Sequence, residues 1–353
     1  MGPALVNLSV LAVLWGVGWW LACRLIWASA SARLAPTRPS AGAPASLSII
    51  IPARNEQQNL PRLLRSIFEQ ATGHTQVIVA DDNSTDDTAA IARDRGATVI
   101  PVPPLADGWR GKTWACHHGA QAATGDVLLF LDADTWLEPG ALLRLGDLFQ
   151  GGALSVGPHH AVRRPYEQLS AMFNLLMVSG TIPDRLFGQM LMIDRASYDR
   201  IGGHAAVRGH TLENFHLARR LTDAGLAVRS MPGRGLLAFR MYPGGLGDLC
   251  RGWTRGFASG ATGTPVGLLL AIIAWLTGMT LAVALLATTW HAAIAYALFA
   301  GQLAVVLRHI GSFRWYTSVL YPAPLLFFYV VFTLSVLRRG RTVTWKGRAI
   351  RAD

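Results

Sequence analysis

The 353-residue chain is poor in charge, and poorest in acid: 15% of it is charged, with 21 Asp and Glu against 32 Lys and Arg. A soluble domain of this length carries about 25% charged residues. With 51% hydrophobic residues and a mean hydropathy of +0.31, the deficit excludes intrinsic disorder and points to partial residence in a bilayer. Cysteine is scarce too. Cys23, Cys116 and Cys250 are too few and too scattered for a disulfide framework, and without a Cys-x-x-Cys pair neither a zinc site nor redox chemistry is supported. There is no Gly-x-x-x-x-Gly-Lys-[Ser/Thr] loop, and no Gly-x-Gly-x-x-Gly after the first candidate strand, which removes support for a P-loop NTPase and for a dinucleotide enzyme. The basic residues are spread along the chain. The basic side chains are thickest beside apolar runs, so an isoelectric point near 10.4 reads as contact with anionic lipid headgroups and not with nucleic acid.

Long apolar runs lie at both ends. Residues 5–27 carry no charge until Arg24, and 23 residues at about 1.5 Å each cross about 30 Å of hydrocarbon. The run is too long for a signal-peptide core, so a signal anchor is expected. Arg24, Arg33 and Arg38 follow it, and the positive-inside rule then puts the amino terminus outside and the next domain in the cytoplasm. Towards the other end, residues 266–289 read as a span. Residues 292–307 contain Gln302, and 318–337 contain Pro322 and Pro324, so each is read as either a crossing or a re-entrant segment. Three C-terminal crossings would put Arg338, Arg339, Arg341, Lys346, Arg348 and Arg351 on the side opposite the middle domain. Two remove that conflict and are the expectation. The resulting division is an anchor over 1–30, a linker over 31–45, an α/β domain over 46–260, a membrane region of two or three helices over 261–337 and a basic tail over 338–353.

The middle of the chain alternates apolar β-branched runs with helical patterns. Strands are predicted over 47–51, 77–80, 98–100 and 127–131, and helices over 57–70, 85–95 and 113–123. This is the pattern of a Rossmann-like α/β domain with a mostly parallel sheet, whose ligands sit at the carboxyl ends of the strands. Polar residues gather at those ends: Pro52-Ala53-Arg54-Asn55-Glu56, then Asp81-Asp82-Asn83-Ser84-Thr85-Asp86, then Asp132-Ala133-Asp134. One such cluster is ordinarily a solvated loop or a helix cap. Three on one sheet edge bring together carboxylates that repel each other unless a cation or ligand donors intervene. Asp132 and Asp134 are hard oxygen ligands directly after a buried strand. Mg²⁺ or Mn²⁺ binds through one or two carboxylates plus substrate phosphates, so a diphosphate-bearing substrate fits.

In order, the pieces Ile-Pro-Ala-Arg-Asn-Glu, Asp-Asp-Asn-Ser-Thr-Asp-Asp-Thr, Gly-Trp-x-Gly-Lys-x-Trp-Ala and Asp-Ala-Asp resemble a family 2 glycosyltransferase of the GT-A fold, over about residues 48–260. Gly108-Trp109, Gly111-Lys112-Thr113-Trp114-Ala115, Ile201-Gly202-Gly203-His204, Gly252-Trp253 and Trp345-Lys346-Gly347-Arg348 narrow the likeness to a bacterial membrane branch. That branch includes carotenoid (diaponeurosporenoate) and hopanoid-associated glycosyltransferases.

The resemblance implies a membrane enzyme of the bacterial inner membrane. It would move a sugar from a nucleotide-sugar donor, a UDP-sugar in the first instance, to a lipid acceptor such as an isoprenoid, by inverting displacement. Pro52, Arg54, Glu56, Asp81 and Asp82 would line the nucleotide pocket, Asp132 would hold the donor, and Asp132 and Asp134 would carry the metal. Lys112, one of only two lysines, would be a point charge on phosphate or else an ordinary surface lysine. Trp253 and Arg255 would form a lid over the diphosphate or else an interfacial anchor.

The family's Glu-Asp, with Asp as base, reads Glu213-Asn214 here, and an amide cannot take a proton. Glu213, His210 or His204 could serve as base, the transferase could be weak or inactive, or the acceptor could already be ionised. Segments 166–181 and 246–257 are apolar with sparse polar positions, and read as helices on a membrane surface or as core helices. A processive polysaccharide synthase is disfavoured because Gln-x-x-Arg-Trp is missing. A non-catalytic scaffold binding sugar nucleotide is favoured only by Asn214.

Overall fold

The computed structural model describes residues 3–34, 46–210, 212–254, 264–286, 290–337, 342–345 and 348–351. Residues 35–45 of the expected linker, Arg255 and half of the basic tail lie outside them, while residues 31–34 of that linker continue the first helix. A first helix, α1 (Pro3–Leu34), precedes strand β1 (Leu47–Ala53). Then come α2 (Leu60–Phe68), β2 (Thr75–Asp81), α3 (Thr88–Asp94), β3 (Thr98–Pro101), α4 (Gly111–Ala122) and β4 (Val127–Leu131). The chain continues with β5 (Thr135–Leu137), α5 (Ala141–Leu148), β6 (Ala153–Gly157), β7 (His159–His160), a 3₁₀ turn (Pro165–Ser170) and α6 (Ala171–Thr181). Next are β8 (Met190–Asp194), α7 (Arg195–Arg200), a second 3₁₀ turn (Gly203–Val207), α8 (Glu213–Asp223), β9 (Val228–Pro232), β10 (Leu237–Phe239) and α9 (Leu246–Thr254). The main sheet runs β3-β2-β1-β4-β8-β6-β9 and is parallel except for β8, which lies antiparallel to β4 and β6. A smaller sheet is ordered β5-β10-β7.

The expected mixed α/β architecture with a mostly parallel sheet is what forms, for the reason visible in β1. Ile49, Ile50 and Ile51 are all fully buried, because the sheet is covered on both faces. Ile49 and Ile51 join α2, α5 and α6 on one side; Ile50 joins α4, α7 and α8 on the other. Three helices start later or earlier than predicted. Helix α2 begins at Leu60 because Glu56 O already accepts from the Asn59 and Leu60 amides in a turn. Helix α3 begins at Thr88 because Ser84 and Thr85 are bonded to Asn55 across the sheet edge. Helix α4 starts two residues early and so takes in Gly111 and Lys112.

Beyond α9 follow α10 (Val266–Ala284), α11 (Trp290–Ile310), α12 (Trp315–Val319) and α13 (Pro322–Leu337). Among the described residues three helices are long and apolar enough to cross a membrane: Leu8–Ala30 within α1, α10 and α11. The segment expected to be about 16 residues around Gln302 is thus a 21-residue helix. Gln302 is buried and joins all three spans: its amide donates to Trp15 O at 3.1 Å and its carbonyl accepts from Trp275 Nε1 at 2.6 Å. The last apolar segment splits into α12 and α13, with Pro322 and Pro324 in the first turn of α13, where missing N–H groups cost nothing. Chain termini β11 (Thr342–Trp345) and β12 (Arg348–Arg351) pair as a hairpin.

Segment 166–181 packs as an interior element, whereas the described part of 246–257 buries only Leu249 and Trp253 and leaves Leu246 exposed. Nearly all of α6 is buried, and Trp253 of α9 stacks on Phe173 of α6 at 4.6 Å, with Phe328 of α13 on the other ring edge. A Cβ on Gly252 would run into the Tyr242 ring, which explains a glycine beside Trp253. On α1, Arg24 donates to Ile182 O at 2.7 Å and ties the first span to the end of α6.

Candidate active site

The first two polar clusters are laced into one edge. Arg54 Nη1 donates to Asp82 O at 2.5 Å and to Asn83 O at 3.1 Å. Asn55 N donates to Ser84 Oγ, Asn55 Oδ1 accepts from Thr85 N, and Glu56 N donates to Thr88 Oγ1. Asn55 and Asn83 both sit at positive φ, 53° and 55°, a conformation asparagine tolerates better than most residues. The result is a rim holding Pro52, Arg54, Glu56 and Asp82 along an open cleft. Asp81 does not line it; Asp81 Oδ1 accepts from Ser84 N at 3.2 Å and shapes the loop.

Opposite the rim stand Gly111 and Lys112 from the first turn of α4, and Asp132 and Asp134 from the loop after β4. Lys112 Nζ lies 2.7 Å from Asp132 Oδ1, 3.1 Å from Glu213 Oε1 and 2.6 Å from Gly188 O. Burial alone would lower the lysine pKa, but the two carboxylates outweigh it and hold Lys112 well above its ordinary value, so it stays charged. Its side chain is 28% exposed, as is that of Asp132, so ligand oxygens can reach the pair. It is not an ordinary surface lysine.

An inner recess behind Lys112 is lined by Cys116, Gln189, His204, Glu213 and Asn214. Glu213 and Asn214 open α8 and are buried. Asn214 Nδ2 donates to Phe187 O at 2.5 Å. His204 is buried with Nδ1 2.9 Å from Tyr198 Oη, and burial lowers its pKa to about 3, which unfits it as a base. His210 stacks on His216 at 3.5 Å. Trp253 does not line the cleft; it is buried beside α6, with Nε1 donating to Ser170 Oγ at 3.2 Å, because the aromatic cluster under α13 offers it more apolar contact than a solvent-facing lid would.

The segment Phe187-Gly188-Gln189 escaped sequence reasoning. Its three consecutive carbonyls accept from Asn214 Nδ2, Lys112 Nζ and the Asp132 amide, so one short strap orients three candidate residues. Backbone carbonyls leave no mark in residue type, and no sequence signal could have found it.

For a divalent cation, the donors present are the Asp132 and Asp134 carboxylates on the cleft wall; among the described residues no group of three or more His, Cys, Asp or Glu gathers. Two carboxylates suit a hard cation whose remaining ligands come from a diphosphate and water, and do not suit an all-protein cage. The residues fit such an ion.

The profile described as Glycosyl transferase family 2 matches residues 48–208. A 4,4'-diaponeurosporenoate glycosyltransferase of Staphylococcus aureus (strain MRSA252) is 36% identical, with 86% of this chain and 88% of that protein covered. Among solved structures, a mannosyltransferase from Pyrobaculum calidifontis in complex with GDP-Man and Mn²⁺ shares the fold with a TM-score of 0.52 at 18% identity, covering 93% of this chain and 99% of that one.

Proposed function

Because this chain belongs to glycosyl transferase family 2 and is a glycosyltransferase, we propose that it moves a sugar from a nucleotide-sugar donor, a UDP-sugar first, to the carboxylate of an isoprenoid-type lipid. The observation that carries the acceptor class is Asn214. It stands at the opening of α8, tied by its amide to Phe187 O, while Glu213 beside it is paired with Lys112. Neither is disposed to remove a proton, and a carboxylate acceptor has none to remove. The Staphylococcus aureus relative is named for a carboxylate, diaponeurosporenoate, which supports the reading.

In this reading the rim of Pro52, Arg54, Glu56 and Asp82 holds the nucleoside, and Asp132 and Asp134 hold Mg²⁺ or Mn²⁺ against the diphosphate. When bound, the cation supplies charge that stabilises the departing diphosphate. Lys112 adds a fixed positive charge on the same oxygens, worth most in the transition state, where their negative charge grows. One acceptor carboxylate oxygen attacks the anomeric carbon from the face opposite the leaving group. The anomeric C–O bond breaks, its electron pair leaves with the nucleoside diphosphate, the configuration inverts, and no proton moves. Asn214 orients the attacking group.

We place the catalytic domain on the cytoplasmic face of a bacterial inner membrane, with two C-terminal crossings. Arg314 N and Thr317 Oγ1 bond to Gln168 at the domain; Tyr321 Oη reaches Met279 O in α10; then Phe328 packs on Phe173 at the domain again. A chain that enters and returns this way is a re-entrant hairpin, and it keeps the basic tail on the catalytic side.

The test is nucleoside-diphosphate release by the full-length protein in detergent with Mn²⁺ or Mg²⁺, using UDP- and GDP-sugars and a long-chain polyene carboxylic acid or its alcohol. Metal-dependent release with the acid, a base-labile ester product, loss in Asp134→Ala and little change in Asn214→Asp are expected. Transfer to the alcohol that rises more than tenfold in Asn214→Asp would overturn the carboxylate reading. Donor binding without turnover on either acceptor would overturn the activity of this chain.

A further inference from the structure

The C-terminal end of α11 is followed by a basic segment. The segment after β7 and the segment after α11 run side by side: Ser312 N donates to His160 O at 2.9 Å, Val162 N to Ser312 Oγ at 2.8 Å, and Arg314 N to Gln168 Oε1 at 3.1 Å. Arg163, Arg164 and Arg314, all exposed, thereby lie on two neighbouring segments. The acid within this segment is already consumed. Glu167 is fully buried, its Oε2 accepting from the Arg163 and Arg164 amides and its Oε1 from Arg240. Among the described residues no carboxylate lies within ion-pair distance of the Arg163, Arg164 or Arg314 guanidinium groups. Directly beside Arg314 the surface turns apolar: Trp315 is 75% exposed, and Val319 and Leu320 are exposed too.

We propose that Arg163, Arg164 and Arg314 form a binding surface for the phosphate headgroups of anionic phospholipid, with Trp315 seated at headgroup depth beside them. The inference rests on the reading that α11 spans the membrane, and not on the identity of the acceptor. Three cations with no ion-pair partner among the described residues, at the end of an apolar span and next to an exposed tryptophan, match the charge and the layering of a bilayer interface. Arg makes forked hydrogen bonds to phosphate, which a diffuse surface field does not require. The binding surface would fix the tilt of the catalytic domain against the membrane, because it lies on the segment that leads into α6, to which α1 is tied through Arg24.

The probe is phosphatidylglycerol in nanodiscs holding the full-length protein. Quenching of Trp315 is read as the difference between wild type and Trp315→Phe, with bromine on phosphatidylglycerol or on phosphatidylcholine in otherwise equal mixtures. Each basic residue near an anionic surface strengthens binding about fivefold. Wild type should therefore be quenched clearly more by the brominated anionic lipid, and the Arg163→Gln, Arg164→Gln, Arg314→Gln triple variant equally by both. A second triple variant, Arg93→Gln, Arg200→Gln, Arg219→Gln, removes the same charge elsewhere and should keep the preference. Equal quenching in wild type, an unchanged preference in the first triple variant, or equal loss in the second would overturn the proposal. The readout needs no turnover, so failure of the acceptor assignment leaves it intact.

Discussion

Lys112 Nζ stands 2.7 Å from Asp132 Oδ1, and the same ammonium is 3.1 Å from Glu213 Oε1. One lysine thus joins the wall that would carry the donor diphosphate to the helix that opens on the acceptor side. Replacing it removes a transition-state charge and leaves two buried or half-buried carboxylates facing each other. Lys112→Met should lower kcat by about 10²–10³-fold, with a smaller change in the KM for donor. Lys112→Arg should recover only part, since a planar fork does not reproduce a compact point charge in that recess. Steady-state diphosphate release measures both, and wild-type kcat in Lys112→Met would refute the assignment.

Chelation should abolish turnover, and either Mn²⁺ or Mg²⁺ should restore it, because two carboxylate oxygens and a diphosphate do not discriminate strongly between hard cations. Asp134→Asn should raise the metal concentration needed for half-maximal release by at least about tenfold, taken from the loss of a ligand charge. A metal titration of both proteins decides this.

Acid should destabilise the domain through two buried histidines. His160 and His204 are both lowered to about 3 from 6.5, burial being the largest cause in each. Above pH 6.5 both are neutral folded and unfolded, and their full stability is present. As pH falls below 6.5 the unfolded chain takes up protons that the folded chain refuses, so stability falls until pH reaches about 3. At one unit below the unfolded value each contributes a loss of about 1.4 kcal/mol. Thermal melts at pH 7.5, 6.5 and 5.5 should show the decline in wild type and a shallower one in His160→Gln and His204→Gln.

Glu167 should matter to stability more than to catalysis. Burial pulls its pKa up, but the Arg240 fork and two backbone amides hold it below the usual 4.5. Its stabilisation is present above that value and lost as pH falls through the lowered one. Glu167→Ala strands Arg240 and should cost about 3–5 kcal/mol, read as a large drop in melting temperature at pH 7.5.

Gln302→Leu should loosen the helix bundle, since Trp275 Nε1 and Trp15 O lose their shared partner. A loss of about 1 kcal/mol is expected, visible as a lower melting temperature in detergent with kcat per folded protein unchanged.

Much of the site was legible before any fold was known. Pro52, Arg54, Glu56, Asp82, Lys112, Asp132, Asp134, Glu213 and Asn214 line one cleft or the recess behind it, because strand-end loops in a parallel sheet converge whatever their separation in the chain. Asp81 and Trp253 read the same way from residue type, yet Asp81 caps its loop and Trp253 joins the aromatic packing under α13. A polar or aromatic letter carries no direction, and which way a side chain turns depends on what packs beside it.

Local pattern determined the strands, the helices and the apolar spans, since periodicity and run length act through contacts that each segment makes with itself and with its solvent. It also determined that residue 214 is an amide, and with that the absence of the expected base. Tertiary structure alone decided that Lys112 bridges Asp132 and Glu213, that the carbonyls of Phe187, Gly188 and Gln189 hold three site residues at once, and that Phe328 of α13 packs on Phe173 of α6. Each of these joins groups well separated along the chain, and such pairings exist only once the sheet has brought them within reach.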